Sequence, residues 1–576
     1  MNFRFATSFA ALALTACATP QTDTLSVRSA DTAPATKPVT GSAVSAADPR
    51  AEEAGRAMLA AGGNATDAAI AVMLALTVVE PQSSGIGGGG FMVRGAADGS
   101  LITYDGRETA PAGATPEWFL AEDGSVPPFS ESVLSGLSVG VPGNLRLAEK
   151  AHAEHGSLPW AKLFEPAIAL AREGFAVNNR LAGYLERLPE RAGGNAQSRA
   201  IYYPGGEPLA AGSIVTNEKL AQSLERIASE GADAFYDPDF AGEIVQTVAQ
   251  ATPREGAMTL ADIEGYAAKS RDGICSTYRE YRICGMGPPT SGGVAVLQIL
   301  GQLERFDLGA LGQDSPVTWH LFVEAQRLAY ADRELYLADS DFVSVPVAGL
   351  IDKGYLAQRS ALIDPDLRAA NVGPGRPEGA PIAIADGDEP EEKGTSHFAV
   401  VDDAGTMVSY TSTIEGPFGS GLMAHGFYLN NELTDFSRSP EVDGRLVANR
   451  VEGGKRPRSS MAPMVIWDPD GRPFMAVGAA GGTTIPVTTA RAIIGVIDFD
   501  LSAEEALALP FIMSFGEAVF LEEGTWLADS QSAFETLGHT RLVVREAPIK
   551  GNAVLRENGR WVAARDPRIE VGLQVP

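Results

Sequence analysis

Gly394-Thr395 stands where a charged loop meets an alternating strand. Glu391-Glu-Lys-Gly394 collapses onto one glycine, and Thr395-Ser-His-Phe-Ala-Val-Val401 follows it. Asp403-Ala-Gly405 suits a three-residue hairpin loop with glycine at the left-handed position, and Met407 to Thr413 is the return strand. Pairing Asp402 with Thr406 then sets Thr413 opposite Thr395, so two hydroxyls meet across the head of the hairpin. A threonine hydroxyl attacks poorly without an adjacent base. Chain scission before Thr395 would supply one, because the new α-amino group has a pKa of about 8 and lies within reach of its own Oγ. Taken alone, the segment reads first as a threonine-rich exposed strand.

Other residue patterns invite different chemistry. Gly85-Ile-Gly-Gly-Gly-Gly90 fits a dinucleotide-binding spacing, but it follows helical sequence and precedes the strand-like Phe91-Met-Val-Arg94, the reverse of the order required. A tight glycine turn with close backbone packing is expected instead. Gly136-Leu-Ser138-Val-Gly140 matches the serine-hydrolase elbow, yet Val141-Pro-Gly143 follows where a helix must begin; Ser138 stands as a rival nucleophile. His152-Ala-Glu-His155 puts two imidazoles on one helix face, but no third ligand is evident among six histidines, so no metal is expected. Gly481-Gly482 lies between the apolar strand Phe474–Val477 and a helix from about Pro486. Backbone N–H groups at such a junction can face an oxyanion, each donor contributing about 2.7–4 kcal/mol.

The elements that must position these groups are mixed α and β. Ala51–Val79 is helical in character and broken at Gly62-Gly-Asn64, and Gly90–Tyr104 alternates like a hairpin. Residues 145–270 are mostly helical, including Leu145–His155 and Asn217–Ser229. Helices are also expected after Pro288-Pro-Thr-Ser-Gly-Gly293 and over Val317–Leu337. A proline- and charge-rich loop, Gly373–Gly394, separates this half from a strand-rich one. If Arg279-Glu280 is a two-residue turn, Cys275 faces Cys284 at a non-hydrogen-bonded position, with Cα atoms about 4.5 Å apart. A disulfide is preferred there over a buried thiol pair.

The chain has 576 residues, with 45 Lys+Arg against 73 Asp+Glu for a net charge of −28. That balance argues against nucleic acid, and 45% apolar residues can fill a sizeable core. Residues 1–16 read as a signal peptide whose apolar run ends in Leu14-Thr-Ala-Cys17, which resembles a bacterial lipobox with Cys17 lipidated. The alternative is an ordinary secretory signal with an incidental cysteine. Residues 17–46 are expected to be a flexible tether. No later segment offers about 18 consecutive apolar residues, so the body is expected to be soluble and exported, on the periplasmic side and anchored by lipid to the outer membrane.

Eight motifs in order resemble the γ-glutamyltransferase (glutathione hydrolase) family over roughly residues 47–570: Gly63-Asn-Ala-Thr-Asp67, Glu80-Pro-Gln-Ser-Ser-Gly-Ile-Gly-Gly-Gly-Gly90, Asp105-Gly-Arg107-Glu-Thr-Ala-Pro111, Pro288-Pro-Thr-Ser-Gly-Gly293, Gly394-Thr395, Leu429-Asn-Asn-Glu-Leu-Thr-Asp-Phe436, Arg456-Pro-Arg-Ser-Ser-Met461 and Gly478-Ala-Ala-Gly-Gly482. The resemblance implies an α+β fold, a four-layer αββα N-terminal-nucleophile sandwich made from one precursor that cleaves itself between Gly394 and Thr395. It implies a large subunit ending at 394 (body 47–394) and a small catalytic subunit, 395–576, forming a heterodimer. Thr395 would attack γ-glutamyl amides such as glutathione, and water or an acceptor amino acid or peptide would take the acyl group; no cofactor is implied. Thr413 would hydrogen-bond the nucleophile and Gly481-Gly482 would form the oxyanion hole. Arg107, Ser459 and Ser460 would hold the substrate α-carboxylate, and Glu432 and Asp435 its α-ammonium.

Two departures bear on specificity. Glu415 stands where many family members have Asn, adding negative charge near the expected ammonium. The segment between Asp435 and Ser459 is shorter than in members with a lid, which would suit poly-γ-glutamate or cephalosporin acyl groups. Besides Ser138 chemistry, a non-catalytic lipoprotein keeping only the fold is the remaining alternative.

Overall fold

Strands apolar on both faces must be covered twice, and that requirement builds this fold. A computed structural model describes residues 41–253, 258–381, 385 and 394–575; the expected leader over 1–16, the lipidation at Cys17 and the tether as far as residue 40 lie outside the described residues. The strands that matter for the site are β1 (Ala43–Ala46), β2 (Gly89–Gly95), β3 (Leu101–Asp105), β4 (Lys269–Arg271), β5 (Ile274–Tyr278), β6 (Tyr281–Gly285), β7 (Ser396–Val401), β8 (Met407–Thr413), β9 (Met464–Trp467), β10 (Pro473–Ala480), β11 (Lys550–Glu557) and β12 (Arg560–Arg565). They form two six-stranded sheets, in the orders β1-β7-β8-β2-β3-β4 and β12-β11-β10-β9-β6-β5.

Along β7 the side chains alternate between two cores. Phe398 and Val400 join the core containing α1 (Pro49–Ala60) and α2 (Ala65–Val79). Ala399 and Val401 join the core shared with the second sheet and with α3 (Gly292–Leu303), α4 (Pro316–Tyr336) and α5 (Ile485–Asp498). The result is the four-layer α+β sandwich, helices outside and two sheets face to face.

Helix α2 is buried at every position, as expected of a helix apolar all round. Its start explains Gly63-Asn-Ala-Thr-Asp67. Asn64 accepts hydrogen bonds from the N–H groups of Thr66 and Asp67, and Asp67 accepts from the N–H of Asn64, a complete capping box. The β7–β8 hairpin has the register its loop implies, with Met407 opposite Val401 and Ser412 opposite Ser396.

One boundary needs correction. The tether expected over 17–46 ends earlier, because Ala43–Ala46 forms β1 and pairs with β7. Val44 and Ala46 are buried, and the Ser45 hydroxyl donates to Ala564 O at 2.6 Å; short alanine- and serine-rich sequence hides its alternation. In the β5–β6 hairpin, Arg279 and Glu280 have φ of 49° and 70°, the sign a two-residue primed turn needs, without glycine or asparagine. Cys275 and Cys284 are paired in register and joined by a disulfide with Cα atoms 4.2 Å apart. No helix among the described residues is long and apolar enough to cross a membrane.

Candidate active site

Thr395 sits at the head of the hairpin, 5% exposed, with its Oγ donating to Thr413 Oγ at 3.1 Å. Thr413 Oγ also accepts the N–H of Glu415 at 2.8 Å. The loop after α2 holds the nucleophile from the other side. Ser83 O accepts the N–H of Thr395 at 3.1 Å, and Ser84 Oγ donates to Ser396 Oγ, which in turn donates to Glu80 at 2.6 Å. Thr395 has φ of 99°, a conformation costly for a β-branched residue, by about 1–3 kcal/mol. Gly394 is pressed against the chain: a Cβ there would lie 1.5 Å from Glu415 O, so only glycine fits.

The nearest histidine is not the base. His397 is fully buried, with Nδ1 2.9 Å from Thr411 Oγ, and burial lowers it to about 3. It points toward β10, where a Cβ on Gly478 would touch its ring. In the strand sequence it is two residues from Thr395, yet its ring is committed to the inter-sheet core.

β10 ends at Ala480, opposite Lys550 at the start of β11. Gly481 and Gly482 then turn the chain into α5 with φ of 132° and 61°, values glycine tolerates and β-branched residues do not. The same strand pair carries Lys550, whose Nζ donates to Thr395 O at 2.7 Å and to Ser83 Oγ at 3.2 Å. Thus Lys550 bonds Thr395 and lines the same cleft as Gly481.

The candidate head-group residues form one buried cluster. Arg107 follows β3; its N–H donates to Asp105 at 2.9 Å, and its carbonyl accepts from the Tyr266 hydroxyl at 2.7 Å. Its guanidinium pairs with Glu432 and Asp435 and donates to Arg458 O at 3.0 Å. Arg107 is therefore held by the acids expected to receive the ammonium. Ser459 Oγ accepts the N–H of Met461, while Ser460 Oγ accepts from Arg333 at 2.7 Å, leaving its proton to donate. Pro288-Pro-Thr-Ser-Gly-Gly293 anchors this pair, since the Thr290 and Ser291 hydroxyls both donate to Ser459 O.

Glu415 is buried, with Asn431 donating to its carboxylate. Four carboxylates, Glu108, Glu415, Glu432 and Asp435, thus face two guanidiniums, Arg107 and Arg191. Burial raises Glu108 to about 7 and raises Glu415 and Glu432, while Arg107 pulls Glu108 and Glu432 back down and Arg191 pulls Glu415. The surplus of acid suits a cation.

The structure brings Thr395, Thr413 and Glu415 into hydrogen-bonded contact, and Arg107, Glu432 and Asp435 into another such group. It excludes Ser138, which lies in a buried helical turn and donates to the carbonyls of Val133 and Ser135 at 2.8 Å. The His320, Glu324 and His539 donor atoms lie close enough to share a metal. However, Glu324 is already paired with Arg327 and the two imidazoles with each other. Sequence reasoning missed Ser83 and Lys550. Ser83 acts through its backbone carbonyl, which no side-chain pattern reveals, and nothing around Lys550 marks it in the sequence.

A family model for gamma-glutamyltranspeptidases matches residues 51–574. The glutathione hydrolase proenzyme of Bacillus subtilis (strain 168) is 38% identical over 511 residues, 86% of this chain and 84% of that protein. That of Escherichia coli (strain K12) is 36% identical over 539 residues, 91% and 90%. Among solved structures, a cephalosporin acylase from Bacillus halodurans aligns with a TM-score of 0.79 at 26% identity, covering 92% of this chain and 95% of that one. The matched span takes in the threonine hairpin, the Arg107 loop and the double-glycine turn alike, and the chain belongs to the γ-glutamyltranspeptidase family.

Proposed function

We propose that the chain is a proenzyme that cuts itself between Gly394 and Thr395 and then hydrolyses or transfers γ-glutamyl groups. The observation that carries this is the Thr395–Thr413 hydroxyl pair, 3.1 Å apart, at a residue with φ of 99°. For scission, Thr395 Oγ attacks the Gly394 carbonyl, the acyl group moves from nitrogen to oxygen, and water opens the ester. Relief of the strained residue favours the shift.

In turnover, the freed α-amine takes the proton from Thr395 Oγ as that oxygen attacks the γ-amide carbonyl. The Gly481 and Gly482 N–H groups are assigned to the oxyanion. The amine then passes the proton to the leaving nitrogen, and water or an acceptor amine attacks the resulting γ-glutamyl ester. A zwitterionic head enters by exchange: its α-carboxylate replaces the acids on Arg107, helped by Ser459 and Ser460, and its α-ammonium takes Glu432, Asp435 and Glu415. The exchange conserves buried charge, which keeps its desolvation penalty small.

The purified protein should migrate as two bands on a denaturing gel, the smaller beginning at Thr395, and should release amine from a γ-glutamyl anilide. Thr395→Ala should leave one band and no turnover. An intact wild-type chain with full activity sinks the proposal. A second reading, action as a cephalosporin acylase, is supported by the likeness to the solved cephalosporin acylase and by the short exposed hairpin Glu441–Leu446 where a lid would stand. The buried carboxylates favour γ-glutamyl, whose head carries an ammonium; comparing turnover of a γ-glutamyl anilide with deacylation of a cephalosporin decides. For Cys17 we propose lipidation and anchoring on the periplasmic side, tested by release of the Cys17→Ala protein from membranes.

A further inference from the structure

A cleft of about 690 Å³ opens beside the double-glycine turn, lined in part by Gly481, Thr483 and Phe515. Five of its lining side chains are basic, Arg180, Arg187, Arg545, Lys550 and Arg568, against one acid, Glu546. In a chain of net charge −28 such a concentration is unexpected. Arg568 is neutralised by Glu522 and Asp566. Arg180 reaches Glu80 through one nitrogen, leaving Nε and Nη1 buried without partners. Arg187 and Arg545 lie against the rings of Tyr184 and Phe520. Among the described residues no carboxylate pairs with Lys550, Arg187 or Arg545.

Lys550 is the innermost of these cations. Its Nζ is 2.7 Å from Thr395 O, which by covalent geometry puts it no more than about 6 Å from the Thr395 nitrogen that must hand a proton to the leaving amine. A leaving group that projects into this cleft would bring a carboxylate on its first carbon toward Nζ. Burial without a counter-ion, with Arg180 nearby, holds Lys550 well below the ordinary ammonium range, a penalty that a bound carboxylate reverses.

We propose that Lys550 is a specificity-determining residue that binds a carboxylate on the carbon bearing the scissile nitrogen, so that the enzyme prefers γ-glutamyl donors whose leaving group is a free α-amino acid. Arg187 and Arg545 strengthen the field farther out along the same cleft. This rests on the γ-glutamyl reading above and names the leaving group that reading leaves open.

The test compares kcat/KM for γ-glutamylalanine and γ-glutamylalaninamide, following free amine. The wild type should favour the carboxylate donor by tenfold or more. Lys550→Met should bring the ratio near one, chiefly through KM of the carboxylate donor, and Lys550→Arg should keep most of it. A wild-type ratio near one, or a ratio unmoved by Lys550→Met, overturns the subsite while leaving γ-glutamyl turnover intact. Failure of the wild type on both donors and on the anilide overturns the underlying reading and the subsite with it. If Lys550→Met does not self-process, the Arg187→Gln/Arg545→Gln double variant carries the test: a ratio reduced threefold or more supports the subsite, and an unchanged ratio overturns it.

Discussion

The two sides of Thr395 are charged in different ways. On the Arg107 side the guanidinium meets Glu432 and Asp435 inside the protein, and acids outnumber cations. On the Lys550 side, five cations line a cleft whose lining offers one acid, and three of them, Lys550, Arg187 and Arg545, pair with no carboxylate among the described residues. A self-paired cluster suits a ligand carrying both charges, because a zwitterion replaces each internal contact with an external one of the same sign. A surplus of cations suits a ligand with net negative charge. The contrast teaches that the acyl group and the amine it is attached to are recognised by separate electrostatic rules, one on each side of the attacking oxygen.

Breaking the first side has the larger effect. Arg107→Gln leaves Glu432 and Asp435 buried without their guanidinium, a change that typically costs about 3–5 kcal/mol. We expect kcat/KM for a γ-glutamyl anilide to fall about 10²–10³-fold, with KM rising. Loss of less than threefold would show that Arg107 is a structural ion pair only. Thr413→Val tests what the two sides share. It removes the hydrogen-bond partner of Thr395 Oγ, and kcat should fall about tenfold for every donor, whatever its leaving group. A loss confined to one class of donor would tie Thr413 to recognition instead.

Much of this was legible in the sequence because it follows from local rules. The Asp403-Ala-Gly405 loop sets the register that brings Thr413 to Thr395, and Asn64 with Asp67 writes the start of α2. The unread parts depend on distant chain segments. Ser83 reaches Thr395 through a main-chain carbonyl, and Lys550 reaches it from the facing sheet, 155 residues away in the chain. The Arg107 pairing with Glu432 and Asp435 is not legible either, since sequence cannot show which charges close on each other. β1 is hidden in the sequence because Ala-Val-Ser-Ala carries too little apolar contrast to declare a strand.

The burial of carboxylates on the Arg107 side also sets a pH dependence of stability. Burial raises Glu108 to about 7, above its unfolded value, so the folded chain holds more protons than the unfolded one between about pH 4.5 and 7. The stability contribution of Glu108 is then full below that window and lost as pH rises through it. Wild-type Tm should fall by several degrees more than that of Glu108→Gln between pH 5 and 8. Parallel pH profiles in a thermal melt would show that Glu108 is not charged by this rise.

The smallest effect belongs to a region on neither side. Cys275 and Cys284 join β5 to β6 at the far edge of the second sheet, with β9 and β10 between them and Lys550 on β11. The loop they close is short, so chain entropy gives the bridge about 2–3 kcal/mol. Replacing both cysteines with serine should lower Tm by about 2–4 °C. It should leave kcat/KM for the anilide, and the carboxylate-to-carboxamide preference, within twofold of wild type. If the preference moved with the bridge, the cleft's charge would be positioned by the whole sheet, and the division of recognition between the two sides of Thr395 would fail at its simplest point.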